Sequence, residues 1–147
     1  MLDTLKVKGV AELTLPDSDC KAKQSVTTSN LVVDTGLNFI VDRMKDDETV
    51  MTHMGVGTGT TAPVAGNTTL ETQLGGRELI ETSTVTDNSI LYRAVFEAGD
   101  STGQLTEAAI FNASTGGTML CRVTFTAIDK QANDSLAIKW TISLSAS

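Results

Sequence analysis

Residues 136–144, LAIKWTISL, place Leu136, Ile138, Trp140, Ile142 and Leu144 on one side of an extended chain and Ala137, Lys139, Thr141 and Ser143 on the other. A period of two marks a β-strand with one buried face, and the unbroken run of large apolar residues predicts that this face lies inside the core. The same period appears in residues 89–98, SILYRAVFEA, where Ile90, Tyr92, Ala94 and Phe96 share a face, and in residues 118–128, TMLCRVTFTAI, where Met119, Cys121, Val123 and Phe125 do. Turn-forming segments separate these stretches: the Asp-Asn pair at Asp87, AGDSTG before Gln104, NASTGG before Thr118 and KQANDS before Leu136. Gaps this short leave no room for crossover helices. They predict an all-β chain, an antiparallel β-sandwich of jelly-roll or immunoglobulin-like type, formed as a single domain over residues 1–147.

Upstream, residues 4–15 alternate Leu5, Val7, Ala11, Leu13 and Leu15 with Lys6, Lys8, Glu12 and Thr14, a further strand ending at Pro16. Residues 16–29 read as a polar loop, followed by a short strand over 30–33. One or two short helices complete the prediction. In VDTGLNFIVDRMKDD, Leu37, Ile40, Val41 and Met44 fall at helical spacing as a buried face, with the start near Asp34 or Thr35. In NTTLETQLGG, Thr68 and Glu71 have the spacing of a capping box and Gly75 can supply a left-handed stop. Because the polar stretch after Pro16 separates it from the pattern downstream, the segment 1–29 is expected to act as a partner-contacting arm or edge strand. Leu5, Val7, Leu13 and Leu15 would anchor it, and Lys6 and Lys8 would face acidic groups.

Composition narrows the function classes. The chain has 147 residues, 40% of them apolar, and no apolar run of membrane-spanning length; its N-terminus alternates where a signal peptide would be continuously apolar. Synthesis in a reducing cytoplasm is the expectation. A net charge of −7 with no basic cluster speaks against nucleic-acid binding. Cys20 and Cys121 lie far apart and the chain has a single histidine, so neither a zinc site nor a disulfide framework is expected. Asp17 and Asp19 lack the rest of a calcium loop, and Asp46, Asp47 and Glu48 read as a solvated helix end. His53, flanked by Met51 and Met54, reads as a half-buried structural residue, and no GxSxG elbow accompanies the serines. No catalytic set, cofactor or metal is predicted.

The stretch 52–63, THMGVGTGTTAP, spaces Gly55, Gly57 and Gly59 without the lysine of a phosphate loop. The three glycines are expected to let a strand at 53–56 turn tightly, by close backbone approach or positive φ, and hand the chain to the second helix near Leu70.

Taken in order, these pieces resemble a family of small tailed-bacteriophage virion proteins. Over roughly residues 30–145 the chain is similar to the phage tail-collar fibre module, with its GxG turn, TxLxxE helix, following arginine and EAGIF-like strand. The matching positions are Gly57 and Gly59; Thr69, Leu70 and Glu71; Arg77; and Glu107, Ala108, Ala109, Ile110 and Phe111, with Ala109 where the pattern often has glycine. The resemblance implies a non-catalytic virion protein, foremost a capsid decoration or cement protein bridging capsid subunits. A tail, collar or fibre-anchoring protein is the alternative, and a carbohydrate-binding module stands behind both. Its implied partners are the major capsid protein or tail and collar proteins of the same particle, together with further copies of itself.

Overall fold

A computed structural model describes residues 5–16, 22–45 and 49–146. Nine strands and one helix follow in the order β1 (Leu5–Pro16), β2 (Ala22–Val32), α1 (Asp34–Arg43), β3 (His53–Gly57), β4 (Glu78–Leu79), β5 (Thr82–Thr86), β6 (Ser89–Phe96), β7 (Gly103–Phe111), β8 (Met119–Lys130) and β9 (Leu136–Ala146). All strand pairs are antiparallel, and they form one continuous sheet in the order β4-β3-β7-β8-β2-β1-β9-β6-β5. The sheet curls so that both halves feed one core: Ala11, Leu13 and Leu15 of β1 and Ile138, Trp140 and Ile142 of β9 join Val56 of β3, Ile110 of β7 and Val123 of β8. The fold is therefore all-β and antiparallel, as the alternation predicts.

Trp140 is wholly buried, and β9 lies between β1 and β6. Its indole Nε1 donates to Asn30 Oδ1 at 2.6 Å. Space for Asn30 comes from Gly9 across the ladder, where an added Cβ would sit 1.8 Å from the same oxygen.

Three sequence expectations need correction. Residues 22–32 are a full strand in place of a polar loop. β2 pairs with β1 over most of its length, its Thr and Ser residues suit an extended chain, and its inward Gln24 and the Oδ1 of Asn30 find partners on other strands, while Asn30 Nδ2 is left without one. Gln24 spans the gap where β2 and β8 diverge, donating to Ala127 O at 2.8 Å and accepting from Asp129 N at 3.4 Å. Second, β1 is no edge strand, because β2 and β9 occupy its two sides. Leu13 and Leu15 face this chain's own core and Val7 packs against it, leaving Leu5, Lys6 and Lys8 exposed. Third, α1 is rotated from the expected face. Gly36 and Phe39 are buried and Ile40 packs against the core as expected, while Leu37, Val41 and Met44 point outward. Close docking on β8 sets this rotation: a Cβ on Gly36 would lie 2.0 Å from Leu120 O, and Thr35 Oγ1 donates to Met119 O at 2.8 Å. Asp17, Asp19, Cys20, Asp46, Asp47 and Glu48 lie outside the described residues.

Candidate functional site

A second, smaller apolar cluster covers the other face of β7 and β8: Val33, Leu70, Ala109, Phe111 and Met119. The long segment between β3 and β4 lies over it, and the residues that fasten this segment are those of the ordered motifs. At its centre is Glu107 on β7, wholly buried, facing Arg122 on β8, which is 2% exposed. Arg122 Nε donates to Glu107 Oε2 at 2.9 Å, and Nη2 lies 2.9 Å from the same oxygen as an ion contact outside hydrogen-bond geometry. The carboxylate also accepts from the backbone N–H groups of Gly59 (3.1 Å), Glu71 (2.9 Å) and Thr72 (2.7 Å). Burying a charged pair is costly unless its remaining lone pairs and protons are matched. Here three amides of the overlying segment supply the match for the carboxylate.

The same geometry explains why no second helix forms. The N–H groups of Glu71 and Thr72 go to Glu107, Leu74 N donates to Val56 O at 2.9 Å, and Thr58 N donates to Thr72 O at 2.9 Å. Glu71 does cap, but it caps a loop: its Oε1 accepts from Thr60 N at 3.0 Å and Thr61 N at 3.4 Å, and a bond from the Thr61 hydroxyl, followed by these two amides, holds its carboxyl below the usual range. Gly75 takes the expected left-handed φ of +70°, within this loop and not at a helix end.

Gly55, Gly57 and Gly59 make no positive-φ turn; the positive-φ glycines are Gly75, Gly99, Gly103, Gly116 and Gly117. Close approach is the reason for Gly57 and Gly59. A Cβ on Gly57 would meet Thr72 O at 2.2 Å and Glu107 Oε1 at 2.6 Å, and one on Gly59 would meet Glu71 Cβ at 2.6 Å. Gly55 pairs with Ala109, whose extended conformation accepts a methyl group where the resembling pattern has glycine.

Arg77 closes the far end. Its guanidinium lies 3.4 Å above the Phe111 ring, and Nη1 donates to Ala113 O at 2.9 Å and Gly116 O at 2.8 Å, tying the segment to the β7–β8 turn. Beside the ion pair is a pocket of about 320 Å³ lined by Thr61, Asn67, Thr68, Thr69, Glu71 and Arg122 among others. Asn67 Oδ1 accepts from Arg122 Nη1 at 3.2 Å and from Val64 N at 3.0 Å. The walls combine hydroxyl, amide and apolar groups with the Glu71 carboxylate and with the Arg122 guanidinium, which is paired with Glu107 although its buried Nη2 makes no hydrogen bond. A carboxylate in the wall disfavours an anion, and the mixed donors and acceptors suit a small uncharged polar group.

The Glu107 carboxylate accepts from three backbone amides and from Arg122 Nε, so both of its oxygens are engaged in holding structure. His53 is half-buried with Nδ1 2.8 Å from Thr52 Oγ1, and burial, then the charge of Arg77, lowers its pKa. The Cys121 thiol is buried and its pKa raised well above the ordinary value by that burial. Among the described residues no group of three His, Cys, Asp or Glu side chains is set to hold a metal ion, and no helix is long and apolar enough to cross a membrane. Sequence reasoning missed Arg122 and Asn67. The available signal was Arg122 itself, a charge set within the apolar first half of its strand. Comparison of the chain with protein-family models, with curated proteins and with solved structures gives no match in any of the three.

Proposed function

We propose that this chain is a non-catalytic structural protein of a tailed-bacteriophage particle, foremost a decoration or cement protein that bridges subunits of the capsid. The observation that supports this reading is spatial. The motifs shared with the virion module, Gly57 and Gly59, Leu70 and Glu71, Arg77 and Glu107, are scattered in sequence yet join in one clamp whose carboxylate is spent on holding a surface loop in shape. A domain built to present a rigid loop is suited to recognition by contact. Exposed Leu37, Val41 and Met44 on α1, together with Val50, add an apolar surface of the kind that assembling proteins cover. Lys6 and Lys8 contribute to partner contact through the outward side of β1, and the exposed Leu5 at its start adds to it from the other side. In this reading the two halves of the curled sheet act as the layers of a β-sandwich.

The clamp belongs to the tail-collar-like motifs, which keeps a collar or fibre-anchoring role as the alternative. The two roles differ in stoichiometry. Gel densitometry of purified particles is expected to give hundreds of copies for a cement protein and about a dozen for a collar protein; absence from the particle would overturn both. The threonine-lined pocket favours sugar binding as a third reading, and a glycan array without signal removes it.

A further inference from the structure

The strand order leaves two free edges, β4 and β5. β4 has only two residues, whereas β5 has five, Thr-Ser-Thr-Val-Thr, all exposed. Natural sheets usually protect an edge with lysine, proline or an inward charge, since its unpaired main-chain groups template another strand. Residues 82–86 carry none of these. The β5–β6 hairpin closes through a two-residue loop, Asp87 and Asn88, with Asp87 at φ +52°. Such a loop makes its flanking pair, Thr86 and Ser89, hydrogen-bonded. Alternation then commits Thr84 and Thr82 to β6 and turns the N–H and C=O groups of Ser83 and Val85 toward solvent.

The side chains of these two outward residues point to the inner face, since Val85 pairs with Ile90 and Ser83 with Tyr92. Val85 is 70% exposed. Ser83 lies on the rim of a pocket of about 380 Å³ whose walls include Phe39, Val50, Met51, Ile90 and Tyr92. A knob without a hole and a largely apolar hole without a knob thus sit two residues apart on one strand.

We propose that a second copy of this chain pairs antiparallel along β5, about a two-fold axis at Thr84. In this register Ser83 of each copy faces Val85 of the other, so both outward residues exchange main-chain hydrogen bonds. Each Val85 then brings its side chain beside the other copy's Ser83 and the apolar pocket behind it. The occupant is a second copy because a two-fold axis exchanges knob and hole, which is the condition of an isologous interface. Registers displaced by two residues set Val85 against Val85 or Ser83 against Ser83 and leave the pockets unfilled. Opposing the contact are the charge of −7 on each chain and the approach of Glu81 of one copy to Asp87 of the other, although Glu81 is already paired with Arg93. Added salt therefore strengthens this dimer.

Analytical ultracentrifugation of the full chain tests the inference, with oxidative cross-linking of cysteine variants in a Cys20→Ser background. The wild type is expected to sediment at about twice the 15.5 kDa chain mass. Val85→Lys is expected to halve that mass while keeping the wild-type circular dichroism spectrum, and to remove any dependence of the melting temperature on protein concentration. Thr84→Cys is expected to cross-link on oxidation, because the two Thr84 residues form a non-hydrogen-bonded pair with Cα atoms about 4.5 Å apart, within disulfide reach. Val85→Cys is expected to stay uncross-linked. A monomeric wild type, a dimeric Val85→Lys, a dimer that weakens as salt is added, or cross-linking through Val85→Cys in place of Thr84→Cys would each overturn the proposal.

Discussion

Trp140 joins the two kinds of force that hold this domain. Its ring fills the core while its one polar atom is matched by Asn30. Trp140→Ala is expected to cost about 3–5 kcal/mol, and a soluble variant with the wild-type melting temperature would contradict its placement. Gly57 acts through space and not through φ. Gly57→Ala drives a Cβ to 2.2 Å from a backbone oxygen of the overlying segment, so a loss on the order of 1–3 kcal/mol is expected by thermal or urea unfolding. Glu107→Ala strands Arg122 in the interior and leaves three amides without their acceptor. About 3–5 kcal/mol is expected, with hydrogen exchange of Gly59, Glu71 and Thr72 rising more than that of β9. Replacing both partners, Glu107→Leu with Arg122→Met, is expected to recover part of the stability but not the protection of those amides, since the carboxylate oxygens that accept from them are gone.

In α1 the helical spacing was legible and its direction was not. Leu37, Val41 and Met44 do form a stripe, but docking through Gly36 and Thr35 turns that stripe to solvent. The double variant Val41→Glu, Met44→Glu is therefore expected to keep its melting free energy within about 0.5 kcal/mol while losing affinity for purified particles that lack the wild-type protein; unimpaired binding would remove α1 from the contact. β2 was hidden for the opposite reason. Its inward positions include Gln24, Thr28 and Asn30, so hydrophobic alternation fails although the strand is long, and only β8 and β9 supply the groups that Gln24 and Asn30 Oδ1 bond. The segment after Thr68 carries real helix-start chemistry, yet Glu107 and β3 capture the amides a helix would use. A short helix is marginal in isolation, so such competition decides it.

Charges far apart in sequence meet where β4 approaches the loop after β6. Glu78 is pushed up by partial burial and then by Asp100 and Glu97. A carboxyl raised in the folded state favours folding while protonated in both states, and that contribution is lost as pH rises from its ordinary value of 4.5 through the raised one. Glu78→Gln is accordingly expected to raise the melting temperature at neutral pH, with the gain vanishing below the ordinary carboxylate range; no gain at neutral pH would place Glu78 outside this acidic cluster. Asp134 runs the other way: a bond from the Gln131 amide and the ion pair with Lys23 hold it low, so its contribution is lost on acidification. The alternation in β1, β6, β8 and β9 was enough to determine an all-β antiparallel chain and most of its core, because a strand's period is written in its own side chains. What the chain order could not express was adjacency. Placing β1 between β2 and β9, leaving β5 as the open edge, and bringing Glu107, Arg122, Gly57 and Arg77 into one clamp all depend on pairings across tens of residues. Such pairings are set by which buried polar groups find partners once the sheet has curled, and no local pattern records that.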